Sequence, residues 1–295
     1  MKLSALGLVA CVFIPFFNVE AEEKGELPKG KVYTYKEVKG VAREIEIFFP
    51  EGHQVSGEAR PGIILFHGGG WGGGKREAFS YQCDYFASRG LVAATVTYRL
   101  ATKEAAAKMK EGRSRKRLCI PDAKSAVRWF KENAGELGVD PKRIIAGGGS
   151  AGGHISLIAT TSPCMDDRND SKEIDTSVAA YVLFNPALSE ADAEDPMIDV
   201  LPHLCVGFPP AIAFFGSEDT WLKGWYPAYE KLKTLGNRSV EFHIAEGEKH
   251  AFFNHQPWRD ITLAAADRFL VNLGYLEGEP TLPAPENGEV LVKQP

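Results

Sequence analysis

The chain has 295 residues, of which 44% are hydrophobic and 25% are charged, proportions that are ordinary for a soluble globular protein. This length is ample for one large core that helices cover on both faces. The net charge of −5 provides no basic footprint for nucleic acid, so the sequence excludes that class of partner.

The first residues predict a signal peptide rather than part of the fold. Lys2 precedes a mostly apolar stretch, residues 3–17, and Val19 and Ala21 are small residues at the two positions that a signal peptidase reads. We expect cleavage after Ala21 and a secreted or periplasmic protein. Stable membrane insertion is disfavoured because the apolar run is shorter than the roughly 20 residues of a spanning helix. A lipoprotein box ending at Cys11 is the alternative interpretation.

The remaining chain alternates between predicted strands and helices. A hairpin opens it, and apolar runs that are typical of buried parallel strands follow, separated by amphipathic segments. The predicted strands are 32–36, 43–49, 63–66, 91–97, 143–146, 177–184, 211–215 and 240–244, and the predicted helices are 75–88, 121–133, 225–235 and 257–273. This order predicts an α/β fold with a mostly parallel, doubly wound sheet and helices on both faces.

The domain organisation follows from the same pattern. We expect a signal peptide at 1–21, one catalytic domain at 22–276 and a loose tail at 277–295, where Pro and Glu recur without apolar periodicity. No insertion is long enough for a large cap domain, so segments 100–118 and 187–206 are expected to shape the substrate entrance. Segment 100–118 contains a basic run, interpreted as a solvated loop or, alternatively, as a patch for an anionic polymer.

One motif predicts a nucleophile. Gly148-Gly149-Ser150-Ala151-Gly152 has the form G-x-S-x-G and stands between a predicted strand and a helix-forming segment. A sharp strand-to-helix turn of this kind exposes the serine side chain and leaves room only for small neighbours. A glycine-rich turn without function is the alternative when this motif is taken alone.

Two further segments favour the catalytic interpretation of Ser150. His67 is followed by three glycines at the end of a buried strand, where backbone amides can approach a developing oxyanion. Asp219 and His250 each follow later predicted strands. The order Ser, Asp, His is that of α/β-hydrolases.

These residues carry a family resemblance. The chain resembles α/β-hydrolases of the esterase and lipase group with an HGGG motif, and most closely secreted bacterial esterases of the acetyl-xylan and feruloyl type. Its landmarks are His67 to Trp71, Tyr98-Arg99, Asp122, Gly148 to Gly153, Asn185-Pro186, Gly216 with Asp219, and His250 with Phe252. The resemblance implies an oxyanion hole formed by the amides of Gly69 and Gly70, together with that of Ala151. It departs from the commoner Gly-Asp-Ser elbow by having Gly149 before the serine.

Other residues near these motifs have competing interpretations. Glu218 is a rival acid one residue before Asp219, whereas Asp122 is expected to cap a helix. Trp71 and Trp221 are expected to contact substrate, although core packing would also suit them.

The remaining histidines are expected to be structural: His67 shapes the glycine loop, His154 packs in a helix, His243 lies in a strand and His255 lies on a surface loop.

Cysteine usage is compatible with an exported chain. Removal of the signal peptide leaves Cys83, Cys119, Cys164 and Cys205, for which three pairings are possible. Pairs of Cys164 with Cys205 and of Cys83 with Cys119 are the preferred prediction, and four free thiols are the alternative. The sequence predicts no metal and no cofactor.

The resulting functional hypothesis is a serine carboxylesterase for short acetyl or small aromatic acyl esters, acting on a small molecule or a polysaccharide. A serine peptidase or amidase on the same fold, and a catalytically inactive binding protein, remain as alternatives. The sequence does not specify an oligomeric state.

Overall fold

The computed structural model describes residues 26–109, 113–285 and 288–295. The predicted signal peptide, residues 1–21, lies outside the described residues, as do three residues of the basic run, 110–112.

A nine-stranded sheet forms the centre of the molecule. Its strands are β1 (Lys31–Val38), β2 (Val41–Phe48), β3 (Arg60–Phe66), β4 (Val92–Val96), β5 (Val139–Gly149), β6 (Ala180–Phe184), β7 (Ala211–Gly216), β8 (Val240–Ala245) and β9 (Leu291–Lys293). The spatial order is β1-β2-β4-β3-β5-β6-β7-β8-β9. Within the set β3 to β8, each pair of adjacent strands is parallel. The antiparallel pairs are β1 with β2, β2 with β4, and β8 with β9. The predicted parallel α/β sheet is therefore confirmed.

In the described part of the chain, seven α-helices connect or follow these strands. They are α1 (Ser80–Ser88), α2 (Lys103–Ala106), α3 (Ile120–Glu132), α4 (Ala134–Leu137), α5 (Ala151–Thr161), α6 (Leu222–Thr234) and α7 (Trp258–Asn272). Apolar residues of α3, α5 and α6 belong to one core cluster, and those of α1 and α7 to the other. Ile144 and Ile145, which are neighbours on β5, belong to different clusters. Since successive side chains of a strand point to opposite faces of the sheet, the two clusters lie on opposite faces.

Two predicted helices differ from the observed ones at their beginnings. The helix predicted at 75–88 starts as a 3₁₀ turn, Arg76–Phe79, before α1. Helix α6 begins at Leu222, three residues before the predicted start, although Pro227 lies inside it. In the turn before it, Asp219 Oδ1 accepts a hydrogen bond from the amide of Trp221 at 2.8 Å.

The end of the chain differs from the expected loose tail. Strand β9 pairs antiparallel with β8, where Val292 lies opposite Ile244, and the amide of Gln294 donates to Phe242 O at 2.7 Å. Leu291 and Val292 form a short apolar segment that supplies the missing partner for the edge of β8. A three-residue strand is too short to show a periodic pattern in the sequence.

The predicted disulfides are wrong: the four cysteines of the described chain are free thiols. Cys83 lies on α1 and Cys119 lies just before α3, and they belong to the two core clusters on opposite faces of the sheet. The sheet therefore separates the first predicted pair. Cys164 and Cys205 are both exposed.

Within the described ranges, none of the helices combines the length and the apolar character that crossing a bilayer requires.

Candidate active site

Ser150 occupies a strained turn between β5 and α5. Its backbone has φ 53° and ψ −120°, a conformation that costs free energy for a residue other than glycine and that often occurs at functional sites. The Ser150 amide donates to Phe184 O at 2.9 Å, which attaches the turn to β6. A Cβ atom at Gly152 would lie 1.9 Å from Phe66 O, so only glycine lets the turn pack this closely on β3.

The structure brings Ser150, His250 and Asp219 into one hydrogen-bonded row. His250 Nε2 lies 2.8 Å from Ser150 Oγ, and His250 Nδ1 lies 2.8 Å from Asp219 Oδ2. The Asp219 side chain is fully buried, whereas that of His250 is 30% exposed. Since the parallel strands β5 and β7 both end at this edge of the sheet, residues 69 positions apart in the sequence meet here.

The rival acids lie elsewhere. The Glu218 side chain is 57% exposed, and its nearest cation is Lys249 at 3.9 Å. Asp122 is fully buried, but its carboxylate binds Arg99 through both oxygens and accepts the Arg99 amide at 2.9 Å. Asp122 therefore joins α3 to the segment after β4, rather than capping its own helix.

Asn185 is a residue whose position at the site the sequence did not predict. It follows β6 with φ 39° and is fully buried. Its Nδ2 atom lies 3.3 Å from Asp219 Oδ2 and 2.7 Å from His250 Nδ1. Asn185 thus donates to the carboxylate and packs beside the imidazole, where it limits the movement of both groups. The Asn185-Pro186 pair was a landmark of the resemblance, but no local pattern indicated this contact.

The glycine loop lies beside the serine. Gly69 has φ 115° and Gly70 has φ 59°, so both adopt backbone conformations that side chains disfavour. His67 Nδ1 donates to Gly68 O at 2.7 Å, and Tyr98 stacks on the His67 ring with centroids 4.3 Å apart. Burial lowers the pKa of His67, which keeps its ring neutral. These contacts agree with the expected role of His67 in shaping the loop.

Trp71 is placed in the core rather than on an open wall. It is 5% exposed, and its Nε1 atom donates to His154 Nδ1 at 3.3 Å. His154 Nε2 in turn lies 2.8 Å from Ile198 O. Burial, and secondarily the charge of Lys116, lower the pKa of His154 to about 3. A neutral ring with its proton on Nε2 satisfies both contacts.

Lys116 and Trp221 complete the group around Trp71. Lys116 Nζ lies 4.0 Å from the centroid of a Trp71 ring, and the Trp221 ring lies 5.9 Å from that of Trp71. Such cation–π contacts are strongest where the cation is desolvated. Burial lowers the pKa of Lys116, although its ion pair with Asp192 opposes this shift.

The two entrance segments are joined by ion pairs. Lys116 pairs with Asp192, and Arg117 Nε lies 2.7 Å from Asp195 Oδ2. The Ser114 amide also donates to Asp195 Oδ2 at 2.9 Å. Part of the basic run is therefore neutralised by the acidic segment 187–206, and the interpretation as a solvated loop does not hold for Lys116 and Arg117.

Two cavities border residues of the candidate site. One, of about 340 Å³, is lined by the glycine loop, Ser150 and His250, and by the apolar side chains of Ala78, Phe79 and Phe253. The other, of about 420 Å³, is lined by Trp221, by Leu188 and Ala191, and by the polar side chains of Glu190, Thr220 and Lys223. Of the two tryptophans expected to contact substrate, Trp221 borders a cavity.

The other predicted positions are structural or peripheral. His243 Nε2 lies 3.0 Å from Glu241 Oε2 on β8, and His255 is exposed. Among the described residues, no group of three or more His, Cys, Asp or Glu side chains is arranged to hold a metal ion.

Comparison with known sequences points to esterases. The BD-FAE family model matches residues 45–187. The chain is 35% identical over 99 residues to Carboxylesterase NlhH of Mycobacterium tuberculosis, and 29% identical over 179 residues to Arylacetamide deacetylase of Bos taurus. These matches cover 33% and 59% of this chain, but only 28% and 41% of the two relatives.

Comparison with solved structures covers nearly the whole fold. The apo form of Thermogutta terrifontis esterase 2 is 34% identical, with a TM-score of 0.77, over 88% of this chain and 100% of that one. The butyrate-bound form of the same esterase is 33% identical, with a TM-score of 0.76, over 86% and 98% of the two chains. The chain therefore belongs to the carboxylic ester hydrolases of the α/β-hydrolase fold.

Proposed function

We propose that this protein is a serine carboxylesterase in which Ser150 is the nucleophile, His250 the general base and Asp219 the acid that orients it. The observation that carries the proposal is the row of two 2.8 Å contacts from Ser150 Oγ through His250 to Asp219 Oδ2. Nucleophile and base are within hydrogen-bond reach, and the base is oriented by a third group, as nucleophilic catalysis requires.

The chemistry follows from this row. His250 Nε2 takes the proton of Ser150 as its oxygen attacks the ester carbonyl, while Asp219 stabilises the imidazolium. The amide of Ala151, at the first turn of α5, and the amides of Gly69 and Gly70 bind the oxyanion. His250 then protonates the leaving alcohol, and the acyl group remains on Ser150. Water, deprotonated by His250, releases the acid and regenerates the serine.

The proposed acyl group is acetyl or another short or small aromatic acyl group. The cavity of about 340 Å³ beside Ser150 is at the small end of ligand pockets, and the described part of the chain places no large cap over it. The structures of Thermogutta terrifontis esterase 2 with propionate and with butyrate bound support short acids for this chain as well.

The proposed alcohol is a carbohydrate. The second cavity places the half-buried Trp221 beside polar and charged side chains, Glu190, Thr220 and Lys223. An aromatic face with hydrogen-bonding neighbours suits a sugar ring, which presents both C–H and hydroxyl groups. Release of acid from acetylated xylan, feruloylated oligosaccharides and simple acyl esters, measured side by side, tests this choice. Activity confined to simple esters would contradict it.

We also propose export with cleavage after Ala21, on the basis of the apolar stretch and the small residues before that position. The mass and N-terminal sequence of the protein recovered from its own host test this directly. A mature chain that begins at Met1 would contradict the proposal.

The catalytic proposal is tested with p-nitrophenyl acyl esters and aminoacyl anilides. We expect the native protein to hydrolyse the esters and paraoxon to abolish this activity. In Ser150→Ala, the rate of ester hydrolysis should fall on the order of 10⁴-fold or more. Esterase 2 of Thermogutta terrifontis phosphorylated by paraoxon supports the choice of reagent. Faster cleavage of anilides would favour a peptidase or amidase, and no hydrolysis of either class would favour a binding protein.

A further inference from the structure

The aromatic ring of Phe253 rests on the turn that carries Ser150. A Cβ atom built on Gly149 would lie 2.5 Å from Phe253 Cζ and 3.3 Å from Cε1 and Cε2, and these three atoms are its nearest neighbours. Gly149 is not among the residues with positive φ. Its backbone therefore has no need of glycine, and the ring of Phe253 is what excludes a side chain from the position before the serine.

Phe253 is held in place by other aromatic rings. It stacks on Phe184, with centroids 4.9 Å apart and planes at 28°, and on Phe79, with centroids 6.1 Å apart and planes at 19°. Phe79 is 2% and Phe253 is 3% exposed. Rings packed in this way move little, so they form a fixed wall where they border a cavity.

This wall bounds the cavity that contains Ser150. Ala78, Phe79 and Phe253 supply its apolar lining, whereas the cavity at Trp221 includes charged groups. An acyl chain gains binding free energy from each methylene only where an apolar wall buries it. The acyl chain therefore suits the aromatic cavity, and a polar alcohol suits the side of Trp221.

We propose that Phe253 limits the length of the acyl chain, and that position 149 is glycine because the ring of Phe253 occupies the space that a side chain there would fill. This inference rests on the proposed esterase function. It adds a specificity-determining residue beyond the catalytic groups, and it gives a physical reason for the unusual residue before Ser150.

The first test measures kcat/KM along a p-nitrophenyl ester series from acetate to decanoate. In Phe253→Ala the vacated space is bounded by the rings of Phe79 and Phe184. Each methylene buried there is worth about fourfold, so the octanoate-to-butyrate ratio should rise tenfold or more. Phe253→Val is a second variant that preserves more of the packing. An unchanged ratio in an active variant would overturn the proposal.

A matched control separates this effect from loss of aromatic packing. Phe214 is also fully buried and lies 5.6 Å from Phe184, centroid to centroid, but it does not border the cavity. Phe214→Ala should leave the octanoate-to-butyrate ratio unchanged. A series that varies the alcohol of acetyl esters should also be unaffected by Phe253→Ala. If Phe253→Ala changed kcat/KM along the alcohol series and not along the acyl series, Phe253 would belong to the alcohol side, and the proposal would be overturned.

The second test uses stability and requires no activity. Gly149→Ala should lower Tm in the native background, because the new methyl group meets the Phe253 ring. In Phe253→Ala the same substitution should cost little, so the two changes should be strongly non-additive. Additive changes in Tm would overturn the proposed packing. If native protein hydrolysed no ester, the esterase function would fail, and the Tm cycle would still report on the Gly149–Phe253 contact.

Discussion

Asp219 uses its two carboxylate oxygens for different contacts. Oδ1 accepts the amide of Trp221 at 2.8 Å, at the turn into α6, and Oδ2 lies 2.8 Å from His250 Nδ1. Both oxygens of the carboxylate are thus held, one by the backbone and one by its contact with the imidazole. The same geometry separates Asp219 from its neighbour Glu218, whose side chain is largely in solvent.

We predict that Asp219→Asn lowers kcat on the order of 10⁴-fold, because an amide cannot hold His250 in the tautomer that accepts the serine proton. Glu218→Gln is the matched control and should change kcat by less than about twofold. Steady-state kinetics with p-nitrophenyl acetate measures both. The reverse result would make Glu218 the acid of the triad.

His154 makes the stability of the fold sensitive to acid. Its pKa falls from 6.5 to about 3 in the folded state, so between these values the unfolded chain binds a proton that the folded chain does not. Its contribution is therefore complete above pH 6.5 and is lost as pH falls toward 3, with a slope of up to about 1.4 kcal/mol per pH unit. Lys116 and Asp192 are the charged groups that face the ring.

His154→Gln should reduce this slope, because an amide can still accept from Trp71 and donate to Ile198 O but does not titrate. Urea unfolding at several pH values between 6.5 and 4 measures the effect, with the exposed His255→Gln as control. Equal slopes in native protein and His154→Gln would contradict the assignment.

The sequence predicted the positions of some site residues better than others. Ser150, Asp219 and His250 each follow a strand within a local motif, and parallel strands bring such positions to one edge. Asn185, Lys116 and His154 gave no such signal, because their contacts join segments that are distant in the sequence. Trp71 is buried by contacts such as that with His154. Its position after the glycines did not indicate this burial.

At the scale of elements, segments 100–118 and 187–206 act together. Lys116 and Asp192 are 13% and 6% exposed, so each ion depends on the other for compensation of its buried charge. The paired Lys116 packs against the Trp71 side chain, and Trp71 directly follows Gly70 of the glycine loop. Charge patterns predicted two polar segments, whereas their pairing depends on the fold.

We predict that Asp192→Asn lowers the free energy of unfolding by about 3 kcal/mol, because it leaves Lys116 buried without a counterion. Glu194→Gln, an exposed change on the same segment, should cost less than about 0.5 kcal/mol. Urea denaturation compares the two. Similar values would mean that the Lys116–Asp192 pair contributes little.

At the scale of the whole molecule, the buried central strands were more predictable than the edge of the sheet. Continuous apolar runs such as Ile63 to Phe66 and Ala211 to Phe215 identified the buried parallel strands, because both faces of each are covered. The last strand has no such run. Its existence depends on the free edge that β8 presents, and this edge exists only once the sheet has formed.

Strand β9 therefore predicts a role for the end of the chain in stability. Besides pairing with β8, this end accepts a hydrogen bond from Tyr229 at Pro295 O, 2.9 Å away. Removal of residues 289–295 should lower the free energy of unfolding by about 1–3 kcal/mol, since a few backbone hydrogen bonds at about 1 kcal/mol each are lost. It should also promote association through the exposed edge of β8.

Urea unfolding and light scattering measure these two effects. Lys293→Ala keeps the backbone pairing and removes only an ion pair with Glu241 at 3.1 Å, in which the lysine is largely exposed, so it should cost less than about 1 kcal/mol. Because β8 leads within five residues to His250, the temperature at which esterase activity is lost should fall together with Tm in the truncated chain. A truncated protein that remained monomeric with native stability would show that β9 contributes nothing to the sheet.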